Sequence, residues 1–268
     1  MNFFNLKKEK IVEPLVHENE DNLALYEGAH ILIGCKNVTI FNKAVVLEAT
    51  DCEFSSASGK SKIQVLTNCT INIVSGDVKI GIAKQSRIVK VQDNVKITTI
   101  NDCDIDYISD RVKIGTLNSG SIKFLENRAY IETVNSGKIM FVRDNAKIST
   151  MANGNIEALL GSACIQTLNH GKIGYMLDKS YIGTFNSGDV AECCDSAEIT
   201  TINGGNVNEM LGTSIVCQLI SGKIKTKKGS AVVLYLQKPT KTTTRLKSKK
   251  VLEAKQLHVD ADIKPTQE

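Results

Sequence analysis

The sequence is poor in the residues on which several classes of protein depend. Its 268 residues include no Trp and only 3 Pro, and aromatic residues make up 5%. These counts argue against an aromatic platform for sugars and against a proline-rich linker protein. No apolar run approaches the ~20 residues of a membrane-spanning helix. With 42% hydrophobic residues, however, the chain has ample material for a buried core, which excludes wholesale disorder.

Export signals and catalytic motifs are missing as well. The N-terminus lacks the apolar core of a secretory signal, so we expect a cytoplasmic protein with free thiols. Its eight cysteines form no CxxC and no zinc-binding spacing with histidine. No nucleophile elbow or phosphate-binding glycine loop occurs, and His170 occupies a variable polar position. We therefore predict that the protein is not an enzyme and uses no cofactor, metal or small-molecule substrate.

What the sequence does contain is a gapless internal repeat, with a unit of about 17 residues. The first position of the repeat is held by Val46, Ile63, Ile80, Ile97, Ile114, Ile131, Ile148, Ile165, Ile182, Ile199 and Val216. At the +8 position of each unit come Phe54, Ile71, Ile88, Ile105, Ile122, Ile139, Ile156, Ile173, Val190, Val207 and Ile224. At this apolar content, chance would produce the second set with a probability of roughly 10⁻⁴, so the period is real.

The repeat has the chemistry of β-strands. Its consensus, I-x-T-x-N-x-G-x-I, alternates with a period of two, and a helical repeat would need ~33 residues. At ~3.3 Å per residue, one repeat goes once round a narrow three-sided coil. We predict an all-β, single-stranded β-solenoid of about 11–12 coils, roughly 55 Å long and of unassigned handedness. The solenoid would span 29–236, between an N-terminal tail or cap (1–28) and a basic, flexible tail (237–268).

Stacking the coils turns each repeat position into a column, numbered here from the first position. The +6 column, which begins with Cys52 and Cys69, contains only Cys, Ser and Gly, and we interpret it as a tight corner. Although these two thiols are expected within disulfide reach, buried thiols usually act as apolar fillers. The +13 column of Gly, Asp and Asn suits turns with positive φ. Threonines at +2 resemble an ice-binding face, but the asparagines at +4 favour a structural amide ladder.

An aromatic column at +10 is the first candidate interaction site. It contains Tyr107, Phe124, Phe141 and Tyr175. Because the side chains of the +11 column are expected to face inward, their neighbours should face outward or occupy a corner. Two interpretations stay open: an exposed apolar stripe that contacts a partner, or corner packing within the coil.

Charge at the two ends of the chain gives the second and third candidate sites. A basic tether without acidic residues comprises Lys223, Lys225, Lys227, Lys228, Lys238, Lys241, Arg245, Lys247, Lys249 and Lys250. Its expected partner is an anionic surface, namely membrane lipid, nucleic-acid phosphate or an acidic protein, unless it is merely solvated. The N-terminal residues Phe3, Phe4, Leu6, Lys7 and Lys8 suit insertion into an anionic membrane or a cap on the first coil. Since residues 237–268 alone carry a net charge of +4, equal to that of the whole chain, we expect no polyanion binding by the solenoid itself.

With its short coils, its repeated G-x-I from Gly120-x-Ile122 to Gly222-x-Ile224 and its MNFFNLKK start, the chain resembles bactofilins. That resemblance covers about 29–236 and implies a three-sided β-helix with an apolar core, flanked by disordered tails. It also implies a membrane-targeting N-terminus and a cytoskeletal polymer. β-Solenoids of phage virions are similar, so a tail or head appendage is the alternative, ahead of a glycan- or surface-binding module. We predict a non-enzymatic structural protein that forms homo-oligomers or polymers, or that docks in a larger assembly.

Overall fold

The structure, a computed structural model, describes residues 13–236 and confirms the predicted β-solenoid. It is a parallel solenoid of about 13 turns, which recur about 17 residues apart. No helix occurs between residues 13 and 236. The contacts divide the chain into two compact units that meet in sequence between Gly115 and Thr116, and strand β13 (Lys113–Leu117) contains this boundary.

In the first unit, each coil contributes one strand to each of two parallel sheets. The first sheet contains, in spatial order, β1 (Leu15–Glu18), β3 (Ala29–Ile33), β5 (Val45–Thr50), β7 (Lys62–Thr67), β9 (Lys79–Lys84) and β11 (Lys96–Asn101). The second contains β2 (Ala24–Leu25), β4 (Val38–Ile40), β6 (Glu53–Ala57), β8 (Thr70–Val74), β10 (Arg87–Val91) and β12 (Cys103–Ile108).

The second unit has the same arrangement of two parallel sheets. One contains β15 (Tyr130–Val134), β17 (Lys147–Met151), β19 (Cys164–Leu168), β21 (Tyr181–Phe185), β23 (Glu198–Ile202), β25 (Ile215–Leu219) and β27 (Val232–Leu236). The other contains β14 (Gly120–Leu125), β16 (Lys138–Val142), β18 (Asn155–Leu159), β20 (Lys172–Met176), β22 (Asp189–Cys193), β24 (Asn206–Met210) and β26 (Lys223–Lys227).

The register keeps the period of the repeat from β5 onward and breaks it before that. Val45 pairs with Lys62, one full period later, whereas Leu15 of β1 pairs with His30, two positions short of a full period. In the β3–β5 and β4–β6 ladders a bulge then lengthens the offset by one residue, to the full period. Sequence periodicity assigned these first residues to a tail or cap because they are out of phase. In the structure, strand pairing begins at Leu15.

Two of the three predicted sides of the coil are strands, and the third is a turn. In the coil that starts at Ile131, β15 is followed by a corner at 135–137, then by β16 and a turn at 143–146. The core columns are the first position, +3, +8, +11 and the small +15 column. Their members are almost completely buried, including Ile139 and Met176, up to the last coil, where Ile224 and Lys227 are half-buried. A narrow apolar core thus runs through each unit.

The corner at +6 differs between the two units. In the first unit the residue before it has positive φ, as in Asp51 (56°) and Gln85 (46°), and the Cys or Ser at +6 points inward. In the second unit the +6 glycine has positive φ itself in every coil except that of Gly205, for example 133° at Gly171. A Cβ atom on Gly171 would lie 2.5 Å from the carbonyl oxygen of Gly154, so the corner admits no side chain there.

Candidate interaction surfaces

The turns of successive coils are linked by carboxylate ladders. Every member of the +13 column from Gly59 to Gly229 has positive φ, as predicted. The Asp144 carboxylate accepts a hydrogen bond from the backbone N–H of Asn127, 3.2 Å away. Asp178 does the same for Gly161 at 2.8 Å. The recurring aspartates therefore have a structural role, which leaves them poor candidates for catalysis.

The asparagines at +4 form the predicted amide ladder. The side-chain amide of Asn135 donates to the Asn118 side-chain oxygen at 2.7 Å. Asn203 donates to Asn186 at 2.7 Å, and Asn186 to Asn169 at 2.8 Å. At this corner, the side-chain amides of neighbouring coils that both have asparagine are therefore hydrogen-bonded to each other.

The cysteines are free thiols, and those of the corner column act as buried fillers. Cys52, Cys69 and Cys103 are buried, and the Cys69 sulfur accepts a hydrogen bond from the Cys52 backbone N–H at 3.3 Å. Burial raises the pKa of the Cys103 thiol and raises that of Cys193 to about 12. A thiol with a raised pKa contains little of the reactive thiolate at neutral pH. For Cys103 and Cys193 this chemistry suits packing better than redox exchange, whereas a hydrogen bond from the Cys69 thiol lowers the pKa of Cys52 to about 7.

The aromatic column in the second unit is only partly exposed. Phe124 of β14 and Phe141 of β16 are paired in register, with ring centroids 5.3 Å apart. The Arg143 guanidinium lies 4.8 Å above the Phe124 ring and its Nε donates to Glu126 at 2.7 Å. A cation therefore covers part of the apolar stripe.

Of the remaining members of the aromatic column, Tyr175 is separated from this pair. Between Phe141 and Tyr175 the register places Ala158, which is buried. Tyr175 itself is 44% exposed, and Tyr107, in the first unit, is 40% exposed. The column is thus a covered Phe pair and two exposed tyrosines. That it binds a partner stays a prediction.

Strand edges near both ends of the described chain expose apolar side chains. In β27, Val232, Leu234, Tyr235 and Leu236 are each 41–47% exposed, and within the described residues this strand pairs only with β25. At the other end, Leu15 of β1 is 61% exposed. Open edges of parallel sheets with apolar side chains are templates for further strand pairing.

The basic tether begins on the last strand of the second sheet. Lys223, Lys225 and Lys227 lie on β26, and Lys228 follows it, 3.7 Å from the Glu209 carboxylate. Lys227 occupies the +11 column, where the preceding coil has the buried Met210, so a half-buried lysine ends this core column. The other predicted tether residues, Lys238, Lys241, Arg245, Lys247, Lys249 and Lys250, lie outside the described residues. So do Phe3, Phe4, Leu6, Lys7 and Lys8.

A histidine pair fixes β1 to β3 at the N-terminal edge. The His17 Nε2 atom lies 3.2 Å from His30 Nδ1, and His17 Nδ1 lies 3.1 Å from the Glu20 carboxylate. The His30 Nε2–H donates to the Glu27 carbonyl oxygen at 2.8 Å. Sequence analysis gave these histidines no role, because they precede the regular coils.

The sequence analysis did not identify a group of basic residues in the first unit. The +16 column holds Lys62, Lys79, Lys96 and Lys113, and the +14 column adds Lys60 and Arg111. They line a groove of ≈ 730 Å³. The repeat alignment already placed these basic residues in register, but the balanced net charge of the solenoid led us to expect no polyanion binding there.

Two classes of feature have no counterpart in the part of the chain that the structure describes. Residues 13–236 contain no cluster of His, Cys, Asp and Glu able to hold a metal ion. They also contain no helix long and apolar enough to cross a membrane. Neither a protein-family model, nor a curated protein, nor a solved structure matches the chain.

Proposed function

We propose that this protein is a non-enzymatic structural scaffold: a β-solenoid spacer that self-assembles through its terminal strand edges. The observation that carries the proposal is the exposed apolar edge strand β27, with β1 as its counterpart. Both are parallel strands with a strand partner on only one side within residues 13–236, so either edge offers backbone groups in the geometry that another parallel strand needs.

The repetitive interior supports a structural role. Similar residue types recur in each column, and aspartates and asparagines of the turns and corners hydrogen-bond from one coil to the next. A catalytic constellation, by contrast, should break the columns at one place. A bactofilin-like cytoskeletal polymer is the form of scaffold that we favour, with the basic C-terminal segment as an electrostatic tether to an anionic surface.

Negative-stain electron microscopy and sedimentation of the purified chain, at low and high salt, test self-assembly. We expect filaments from the wild type and none from the double variant L234K/L236K, because lysines on an edge strand oppose pairing with a second chain. The control is Y175K, which places a single lysine at a side chain of similar exposure away from either edge. This control should still form filaments.

Two outcomes would contradict the proposal. Discrete particles of fixed size under all conditions would overturn the polymer and favour a virion component or another closed complex. Filaments that survive L234K/L236K but are lost in Y175K would move the interface from the strand edge to the aromatic column.

A further inference from the structure

The first unit contains a straight column of four lysines. The register pairs Lys62 with Lys79, and Lys79 with Lys96. The pattern extends to Lys113, whose backbone N–H donates to Val95 as that of Lys96 donates to Val78, each at 2.9 Å. Parallel neighbours lie ~4.8 Å apart, so the four ammonium groups span roughly 14 Å.

Three further cations flank this column from the +14 position, where Asp77 and Asn94 separate Lys60 from Arg111. Ser61 and Val112 of the +15 column are buried, so the residues on either side of them point outward together. Lys60 thereby flanks Lys62, and Arg111 flanks Lys113. With Lys43, seven cations line the groove of ≈ 730 Å³, against the single carboxylate of Asp77.

Within residues 13–236, no acidic side chain pairs with these cations. None of the seven forms an ion pair within residues 13–236, and Asp77 accepts a hydrogen bond from Asn94 at 3.3 Å. Residues 13–115 contain eleven basic and fourteen acidic residues, a net charge of −3, yet seven of the eleven basic residues line this groove. The positive charge is therefore concentrated on one strip of an acidic unit.

Repulsion among the lysines of this strip lowers the stability of the fold unless a bound anion offsets their charge. Like charges directly opposite each other on neighbouring strands repel. In the second unit the +16 column breaks the run with Tyr130, Cys164, Tyr181 and Glu198, so the solenoid does not require lysine at this position. The four-lysine column is thus best explained by a ligand.

The form of the groove selects among anions. A single small anion would contact only part of a column roughly 14 Å long. Val45 is the one apolar residue in the lining, which is too little to insert into a lipid surface. An extended acidic peptide would turn alternate side chains away from the groove. A single nucleic-acid strand has a charge on every backbone unit, and lysines bind phosphate as point charges.

We infer that this groove binds the phosphodiester backbone of single-stranded nucleic acid, independently of base sequence. The lining contains no aromatic residue, so bases have nothing to stack on, and the binding energy comes from the phosphates. This site is distinct from the C-terminal tether and does not depend on self-assembly.

Fluorescence anisotropy with labelled single-stranded DNA, using the full chain, tests the inference. The key variant is K62Q/K79Q/K96Q/K113Q. We expect at least a tenfold weaker affinity at low salt and a slope of log K against log salt that is shallower by about 3, since each phosphate contact on a single strand contributes about 0.7. Oligo(dT) and a mixed sequence should bind alike.

Two control variants separate the site from general charge effects. K138Q/K147Q/K172Q/K179Q removes four exposed lysines from the second unit and should bind like the wild type. K62R/K79R/K96R/K113R keeps the charge and should also retain binding. Circular dichroism melting curves of all three variants establish that they are folded.

Several results would overturn the inference. One is an equal salt slope for the groove variant and the second-unit control, which would attribute binding to other basic residues. Another is unchanged DNA binding together with loss of binding to anionic phospholipid vesicles or to polyglutamate, which would assign the groove to a membrane or to an acidic protein. Binding of inorganic polyphosphate but not of DNA would retain the phosphate chemistry but overturn the nucleic acid as its source.

Discussion

A single inward-facing side chain in this solenoid touches its counterparts in the coils on both sides. Ile139 is 1% exposed, and the register places it between Ile122 and Ile156. Met140, the next residue, points outward into a column that also accepts Lys123 and Glu157. Ile139 and Met140, which are neighbours on one strand, therefore differ sharply in which side chains can replace them.

Replacing Ile139 by Asp should destabilise the fold by about 3–5 kcal/mol, because the carboxylate would be buried without a partner. The matched change M140D should alter the free energy of unfolding by no more than about 0.5 kcal/mol. Urea denaturation followed by circular dichroism measures both. Equal stabilities would show that the inward assignment of the +8 column is wrong.

At the scale of the element, the +13 turn depends on a left-handed residue. Gly161 has φ of 65°, and the equivalent residues of the flanking coils, Asp144 and Asp178, have 60° and 58°. Asp and Asn tolerate this conformation, whereas β-branched residues do not.

We predict that G161V lowers the free energy of unfolding by about 1–2 kcal/mol, the cost of a left-handed conformation for an ordinary residue. G161D should be neutral or stabilising, since its carboxylate would continue the ladder to the N–H of Asp144. Thermal melts of the two variants side by side provide the measurement. A G161V protein as stable as G161D would contradict the turn assignment.

Sequence reasoning predicted the conformation of this turn, but at +6 it predicted only a tight corner and not the backbone conformation there. At +13 the residue types Gly, Asp and Asn share one backbone preference, so the conformation follows from composition. At the corner, positive φ moves from one position to the next between the two units, and in one coil it falls on Gln85, a residue without that preference. This change in which position has positive φ depends on packing against neighbouring coils, and the sequence of a single repeat does not show that packing.

The lysine groove was also not predicted from the sequence, although the sequence contains all of its residues. Recognising it required knowing that Ser61 and Val112 are buried, so that the residues flanking them share one side. The exposed edge of β27 within the described residues could also be recognised only in the structure, because the exposure of a strand at the end of a sheet depends on which strands pair with it. Periodicity therefore predicted the fold well and the candidate sites poorly.

For the whole molecule, the uninterrupted period makes the coil a removable unit. Deleting 148–164 takes out one full period, joins Lys147 to Ile165, and places Asp178 where Gly161 had been. Each repeat contacts only its neighbours, so the loss should amount to one coil and one interface.

We expect this full-period deletion to melt within about 4 °C of the wild type, a shift of roughly 1 kcal/mol. Deleting 148–163 instead removes one residue fewer and moves each following side chain to the opposite face, so this variant should aggregate or lose its cooperative melt. Calorimetry and limited proteolysis distinguish the two. Similar behaviour of both deletions would show that the register is not fixed by the period.

The carboxylate ladders also have a direction, and that direction bears on how the chain is made. Asp144 serves the amide of Asn127, Asp178 that of Gly161, and Asp195 that of Asp178, so each acceptor comes one full period after its donor. On a ribosome that adds about 5–20 residues per second, the partner of a given turn amide is synthesised about one to three seconds later. Wherever the following coil has an aspartate at +13, the newest turn amide of a nascent chain therefore lacks its carboxylate partner until that coil has been synthesised.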